Sequence, residues 1–411
     1  NFYQIKMLKK VFSIIFLTQF LIQTSIKGQN ISLFTQINGR YDFTFIGNTM
    51  GPDENAFQYP TFLHTQSSAT LNLGINDRIE RAYLYWAGSG SGDSQIKLNG
   101  VDMTPDIMRT IVGTSSNLTY FSAYKDVTNF VQSTGNGVYT LSDFDLNHLV
   151  TTYYGNATQF AGWAILVIYE NPNLTLNQLN IYQGLQALSP NRPFGIIDNM
   201  TIELDNLYLI SNTGAKIGFI AWEGDRLIQF EEKLTFSANG TTNILSNTLN
   251  PSNNAFNGTN TETNATNLYN MDLDVYSIEN YIVPGTTSAT VTLQSGQDYV
   301  MLNTIVTKLN SQLPDATIVL NNPISTCNSR EVNLDFTVSN VNSTEFLQAN
   351  TPITFYIGTQ VIGTTYTQNI IPIGGSENAN ITLIIPNSIP NNFTLLAVVD
   401  DSGNGTGIVR E

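Results

Sequence analysis

The 411-residue chain carries 17 Lys and Arg against 32 Asp and Glu, a formal charge of −15, with only 12% of residues charged. So acidic a surface repels phosphate backbones and argues against a nucleic-acid partner, while 41% hydrophobic residues with 22 Phe and 19 Tyr supply real cores rather than disorder. One cysteine and two histidines leave no internal disulfide and little room for zinc or for a Ser-His-Asp triad.

Residues Met7 to Gly28 read as a secretory signal peptide. Lys9 and Lys10 form the basic start, residues 11–22 the apolar run, and Ile26 and Gly28 precede a cut ahead of Gln29. The run is too short for a membrane-spanning helix. The mature protein is therefore expected to be secreted or on the outer cell surface, without a transmembrane segment. Residues 1–6 are expected to be upstream translation. Loss of Lys6, Lys9, Lys10 and Lys27 with the leader makes the remainder still more acidic.

Beyond the leader, short apolar runs bounded by Gly, Asn, Asp and Pro predict strands, and helical periodicity is scarce. Tyr41, Phe43 and Phe45 share one strand face, with Asp42 and Thr44 on the other. Residues 82–87 and 164–169 are apolar on both faces, as interior strands packed front and back are. Asn99-Gly100 between short apolar runs predicts a hairpin, and residues 126–131 a single helical turn capped by Asp126. Strand patterns return at 207–210, 217–222, 290–293 and 299–302, interrupted by an Asn- and Thr-rich loop over 239–270 that is either mobile or tied down by an ion. After Leu313-Pro314-Asp315, runs at 331–338, 353–357, 380–385 and 393–399 have the spacing of an immunoglobulin-like sandwich. The expected fold is all-β: a large jelly-roll-like head of two packed sandwich units (29–173 and 174–312) behind the 1–28 leader, followed by one Ig-like sandwich at 313–411.

The last unit, through residues 313–317, 332–340, 351–356 and 398–405, resembles the Ig-like repeats related to the cell-adhesion CARDB domain. Residues 79–88, 125–128, 161–170, 222–225 and 270–274 resemble the N-terminal part of large secreted Bacteroidetes proteins that carry gliding-motility-associated or type IX sorting domains. These resemblances imply surface delivery, further C-terminal domains beyond Glu411, and a partner for Cys327 in that extension, although a buried thiol explains Cys327 equally well.

Several clusters carry possible chemistry. Asp272 and Asp274, two apart in a strand, share a face and repel unless a cation or strong donors lie between them. With Asp225 they form a candidate Ca²⁺ site. Asp400, Ser402 and Asn404, with Glu411 twelfth in the series, match a calcium-loop spacing, although the flanking strand pattern suits a Gly-rich hairpin turn with 407–410 returning beside 395–399. Trp86, Trp163 and Trp222 stand in apolar runs and read as core rather than as a sugar platform. A glycosidase pair could be drawn from Glu170, Glu223, Asp225, Glu231 and Glu232, but nothing fixes their separation. The expected function is a non-enzymatic surface protein that attaches to an extracellular polymer, glycan or cell surface, with the loop over 239–270 offering neutral hydrogen-bonding groups. The rival is a carbohydrate-active protein, either a glycan-binding module or a carboxylate-pair hydrolase.

Overall fold

Strands form where the apolar runs predict them, and two of the resulting sheets are apolar on both faces because two sandwiches pack sheet against sheet. The computed structural model describes residues 26–27, 30–113, 117–188, 198–205, 207–321, 324–325 and 329–409. Cys327, Glu411 and the leader up to residue 25 lie outside them. Among the described residues no helix is long and apolar enough to cross a membrane.

The head has four layers. Its first large sheet runs in the order Ile26–Lys27, Ile107–Val112, Thr119–Asp126, Arg78–Ser89, Ala161–Glu170, Tyr41–Thr49, and a small sheet of Ser67–Leu71, Gly137–Ser142, Ile96–Leu98 and Val101–Met103 covers one face. The second large sheet runs Met271–Ser277, Leu209–Trp222, Val300–Ser311, Asn177–Leu188, Ser32–Gly39, covered by Asp198–Leu204, Ala289–Ser295, Lys233–Ala238 and Thr241–Leu245. The strand Ser32–Gly39 lies inside the expected first unit, yet it pairs with Asn177–Leu188 in the second unit's sheet.

Alternation divides each central strand between two cores. Leu84, Trp86, Trp163, Ile165 and Val167 point beneath the first small sheet. Tyr83, Tyr85, Ala164, Leu166 and Ile168 point into a seam between the two large sheets, where they meet Leu179, Ile181, Ile220, Trp222, Leu273 and Met301. Phe43 and Phe45 enter the same seam, as their shared strand face requires. All three tryptophans are 0% exposed. Each indole N–H is satisfied, that of Trp86 by the Asp93 carbonyl, of Trp163 by Ser67 Oγ and of Trp222 by Asn303 Oδ1.

Glycines set how closely the large sheets approach. A Cβ on Gly218 would lie 2.7 and 2.8 Å from the rings of Phe45 and Phe43, one on Gly162 would lie 2.8 Å from Met271 Sδ, and one on Gly47 would lie 3.0 Å from Leu273 Cδ1. At the edge of the seam, Asp42 of the first sheet accepts from Lys216 at 2.7 Å and Lys308 at 2.6 Å, both in the second. Lys216 also stands 4.4 Å over the Phe43 ring.

The Asn99-Gly100 hairpin is present, with φ of 49° and 81° at its two central residues, as a type I′ turn requires. The short helix is Thr128–Thr134, and Val127 occupies the N-cap. Asp126 stands one residue earlier and accepts from the Thr128 N–H at 2.9 Å. The last unit packs Thr317–Leu320, Glu331–Asn340, Ile324–Ser325 and Gly375–Ile384 against Gln360–Tyr366, Pro352–Ile357 and Leu395–Val399. It is clamped to the head. Asn38 donates through its backbone N–H and Nδ2 to Asn342 at 2.9 and 2.7 Å, and the Thr344 hydroxyl donates to the Ser311 carbonyl at 2.6 Å.

Two outcomes follow from the seam. Gly162→Asp places an unpaired charge and a clashing Cβ in dry packing and should cost about 4 kcal/mol, so an unchanged denaturation midpoint would contradict the close approach of the sheets. Burial pushes the Asp42 carboxyl up, but Lys216 and Lys308 outweigh it and hold the group below its ordinary 3.8. Its folded pKa is thus the lower one, so its contribution is fully present above the ordinary value and is lost as pH falls through the folded value. Asp42→Asn should cost about 3 kcal/mol at neutral pH and flatten the acid limb of a stability-against-pH curve.

Candidate functional site

At one end of the second large sheet, Trp222 stands opposite both Met271 and Met301, so the acidic residues just beyond these strand ends are brought together. Asp272 and Asp274 lie in Met271–Ser277, and alternation turns them to the face where the second sandwich has its core, level with Tyr276. Both are 0% exposed. Glu223 and Asp225 follow the strand Leu209–Trp222, Glu232 precedes Lys233–Ala238, and Asp298 precedes Val300–Ser311.

The loop over 254–260 covers Asp272 and Asp274 and is itself buried. Successive backbone N–H groups of Asn257, Gly258 and Thr259 donate to Asp272 Oδ1 at 2.9, 2.8 and 3.2 Å, forming an anion nest. The Thr259 hydroxyl lies 3.1 and 3.0 Å from the two Asp274 oxygens and 2.7 Å from Asn250 Oδ1, and the Thr261 N–H donates to Asp274 Oδ1. Strong donors therefore separate the two carboxyls. The buried part of the long loop spends its hydrogen bonds inward rather than on a binding rim, which corrects the expectation for 239–270 at residues 254–260.

Asn55 and Asn270, neither marked out by the sequence, knit the rest. Asn55 comes from the first sandwich and donates through Nδ2 to Glu223 Oε1 at 3.0 Å. Asn270 accepts from the Asn55 N–H and donates to Asp225 Oδ1 at 2.9 Å. The Asp225 N–H donates to Asp298 Oδ2 at 2.8 Å. Glu223 and Asn270 hold left-handed backbones, φ 78° and 64°, a conformation unusual for a glutamate.

Electrostatically the cluster is one-sided. Burial first, then the neighbouring carboxylates, raises Glu223, Asp225, Glu232, Asp274 and Asp298 far above the usual carboxylate range. For Asp272 burial outweighs the lowering by its three backbone donors. Among the described residues the nearest ion pairs stay at the rim, Arg226 with Glu54 and Lys233 with Glu231. No three His, Cys, Asp or Glu among the described residues are gathered closely enough to hold a metal by themselves.

The other candidates fall elsewhere. Both Asp400 oxygens accept from the backbone, Oδ1 from Ile408 and Val409 and Oδ2 from Val409, while Ser402 and Asn404 are exposed and Asn404 accepts from the Thr406 N–H. This segment is a self-bonded turn, and 407–409 form no returning strand. Glu170 pairs with Arg78 on the surface. His64 and His148 are both exposed.

No protein-family model matches the sequence, and no curated protein does either. Among solved structures, the chain aligns with a GH2 beta-galacturonidase from Eisenbergiella tayi at 10% identity and a TM-score of 0.17, over 49% of this chain and 32% of that one. It aligns with the beta-glucuronidase of Parabacteroides merdae at 10% and 0.17, over 54% and 28%. The ectodomain of the C. elegans fusion protein EFF-1 aligns at 9% and 0.14, over 90% and 83%. The chain thus spans less than a third of the length of either glycosidase, and alignments this slight carry no functional assignment.

The single Thr259 hydrogen cannot serve both Asp274 and Asn250. A protonated Asp274 resolves this by donating to Thr259, which donates onward. Asp274→Asn keeps a donor there and should change stability by less than about 1 kcal/mol, whereas Asp274→Ala should cost about 3 kcal/mol. Equal losses in urea denaturation would refute the protonated form.

Proposed function

We propose that the protein is an exported, non-enzymatic surface protein that attaches to an extracellular polymer or glycan through its β-sandwich head. The observation that carries this reading is the enclosure of the acids. Of the five acids from which a hydrolase pair could be drawn, Glu223 and Glu232 are 1% and 0% exposed, Glu170 and Glu231 are tied to Arg78 and Lys233, and Asp225 is held by Asn270, whereas such a mechanism needs its pair to reach a glycosidic bond and water.

Binding requires less. Where the head meets the last unit, an open groove of about 560 Å³ is lined by Phe34, Gln36, Tyr41, Glu80, Arg81 and Tyr83, with Asn342 on the far side. Phe34 is 42% exposed and packs edge-on against Tyr83 and Tyr124. Aromatic faces beside a carboxylate, a guanidinium and amides suit a neutral or weakly charged saccharide, and many copies on a surface would turn weak contacts into firm attachment.

The purified protein should show no turnover on a panel of glycans, esters and peptides, yet be retained on immobilised polysaccharide. Phe34→Ala should weaken retention about tenfold, the equivalent of one lost aromatic contact. Turnover abolished by Glu223→Gln or Asp225→Asn would overturn the reading in favour of a hydrolase.

A further inference from the structure

Two long edge strands of the head have their outward backbone groups covered. Along Tyr41–Thr49, at the edge of the six-stranded sheet, side chains take the carbonyls that point away from the neighbouring strand: Asn177 Nδ2 donates to Tyr41 at 2.7 Å, Lys216 Nζ to Phe43 at 3.2 Å and Asn260 Nδ2 to Phe45 at 3.4 Å. Along Met271–Ser277, at the edge of the five-stranded sheet, the Leu273 N–H donates to the Thr259 carbonyl at 2.9 Å and the Val275 N–H to the Thr261 hydroxyl at 2.7 Å. A bare edge is a template for another strand.

Gly375–Ile384, in the last unit, is such an edge. It pairs with Glu331–Asn340 along its full ten residues in one register, and among the described residues no strand lies on its other side. In the continuation of that register the Ile385 N–H donates to the Arg330 carbonyl at 2.8 Å. Alternation then turns the backbone groups of Glu377, Ala379, Ile381 and Leu383 toward Glu331–Asn340 and those of Ser376, Asn378, Asn380 and Thr382 outward. None of these outward N–H and C=O groups has a hydrogen-bond partner among the described residues. The same four side chains are exposed, and on that face Thr382 donates to Asn333 and Thr337 to Asn378, both at 2.7 Å. The strand has no Lys, Pro or bulge, the usual devices that block an edge. Its single acid, Glu377, accepts from the backbone N–H groups of Gln368 and Asn369.

We propose that this edge pairs with the same edge of a second copy of the chain, in a closed dimer whose two last units share one continuous sheet. The strand is self-complementary about a two-fold axis at Ala379. In that antiparallel register Ser376 faces Thr382 of the second copy and Asn378 faces its Asn380, so all four outward residues enter hydrogen-bonded pairs. Glu377 falls opposite Ile381 of the second copy rather than opposite another acid. In a chain of formal charge −15, an outward row of Ser, Asn, Asn and Thr lets two copies approach without setting carboxylates face to face. Ala379 and Ile381, half-buried at the border of the unit's core, would be covered by the same contact. Each copy has one such edge, so assembly stops at two. The dimer would carry two heads, and it does not depend on the polymer-binding reading.

The test is sedimentation equilibrium of the whole purified protein, which should show a concentration-dependent mass rising to that of a dimer. Asn378→Lys combined with Asn380→Lys sets lysine opposite lysine twice across the axis and should weaken the dimer about tenfold. Asn378→Lys combined with Asn380→Glu sets lysine opposite glutamate in the same register and should restore it. Asn380→Pro removes one outward N–H without touching the ladder to Glu331–Asn340 and should also weaken association, with the circular dichroism of every variant unchanged. A monomer at all concentrations, growth beyond two copies, a dimer indifferent to the paired lysines, or one that the lysine–glutamate pair fails to restore would overturn the proposal.

Discussion

The architecture rests on the packing of one large sheet against another. A sheet in a single sandwich buries one face and shows the other to water. Here the six- and five-stranded sheets bury both, which is why Ala161–Glu170 and Val300–Ser311 are buried along almost their whole lengths. The seam exists because Gly47, Gly162 and Gly218 remove the side chains that would hold the sheets apart, and Asn303 carries a polar connection across it. Asn303 accepts from Trp222 and from Ser122 of the opposite sheet and donates to the Gly184 carbonyl.

That packing also decides where the acids lie. With both large sheets enclosed, a strand end that would ordinarily meet solvent opens beneath loops from both sandwiches: Asn55 reaches across from the first, and residues 254–260 close down from the second. Carboxylates that begin or follow strands are thus carried inward rather than to a rim. The cost of burying them is offset in part by the three-amide nest on Asp272, and the loop gains its order from the same bonds.

Much of the fold was legible because it depends on period and on turn chemistry. Double-faced apolar runs at 82–87 and 164–169 marked interior strands, Asn99-Gly100 marked its hairpin, and the tryptophans read as core. The pairing of Ser32–Gly39 with the second sandwich was not legible, since local alternation records a strand's faces but not its neighbour. At the site, the shared face of Asp272 and Asp274 followed from their spacing. Their separation of roles did not, because it depends on Thr259 and on a nest of backbone amides that leave no mark in side-chain chemistry. Asp298 and Asn270 were missed for a related reason, although an acid beside a fully apolar run, as in Trp222-Glu223 and Asp298-Tyr299-Val300, is the local sign that a strand end carries a buried charge.

The clamp between the head and the last unit has a mechanical consequence. The chain leaves the head from Val300–Ser311, the central strand of the five-stranded sheet, hydrogen-bonded along both edges to Asn177–Leu188 and Leu209–Trp222. Within two residues it enters the joint held by Leu313 and Thr344. Tension applied through the last unit therefore runs along the axis of that strand. Its two ladders are loaded in shear, so their bonds must fail together instead of peeling apart one by one, and the head is anchored by its most enclosed element.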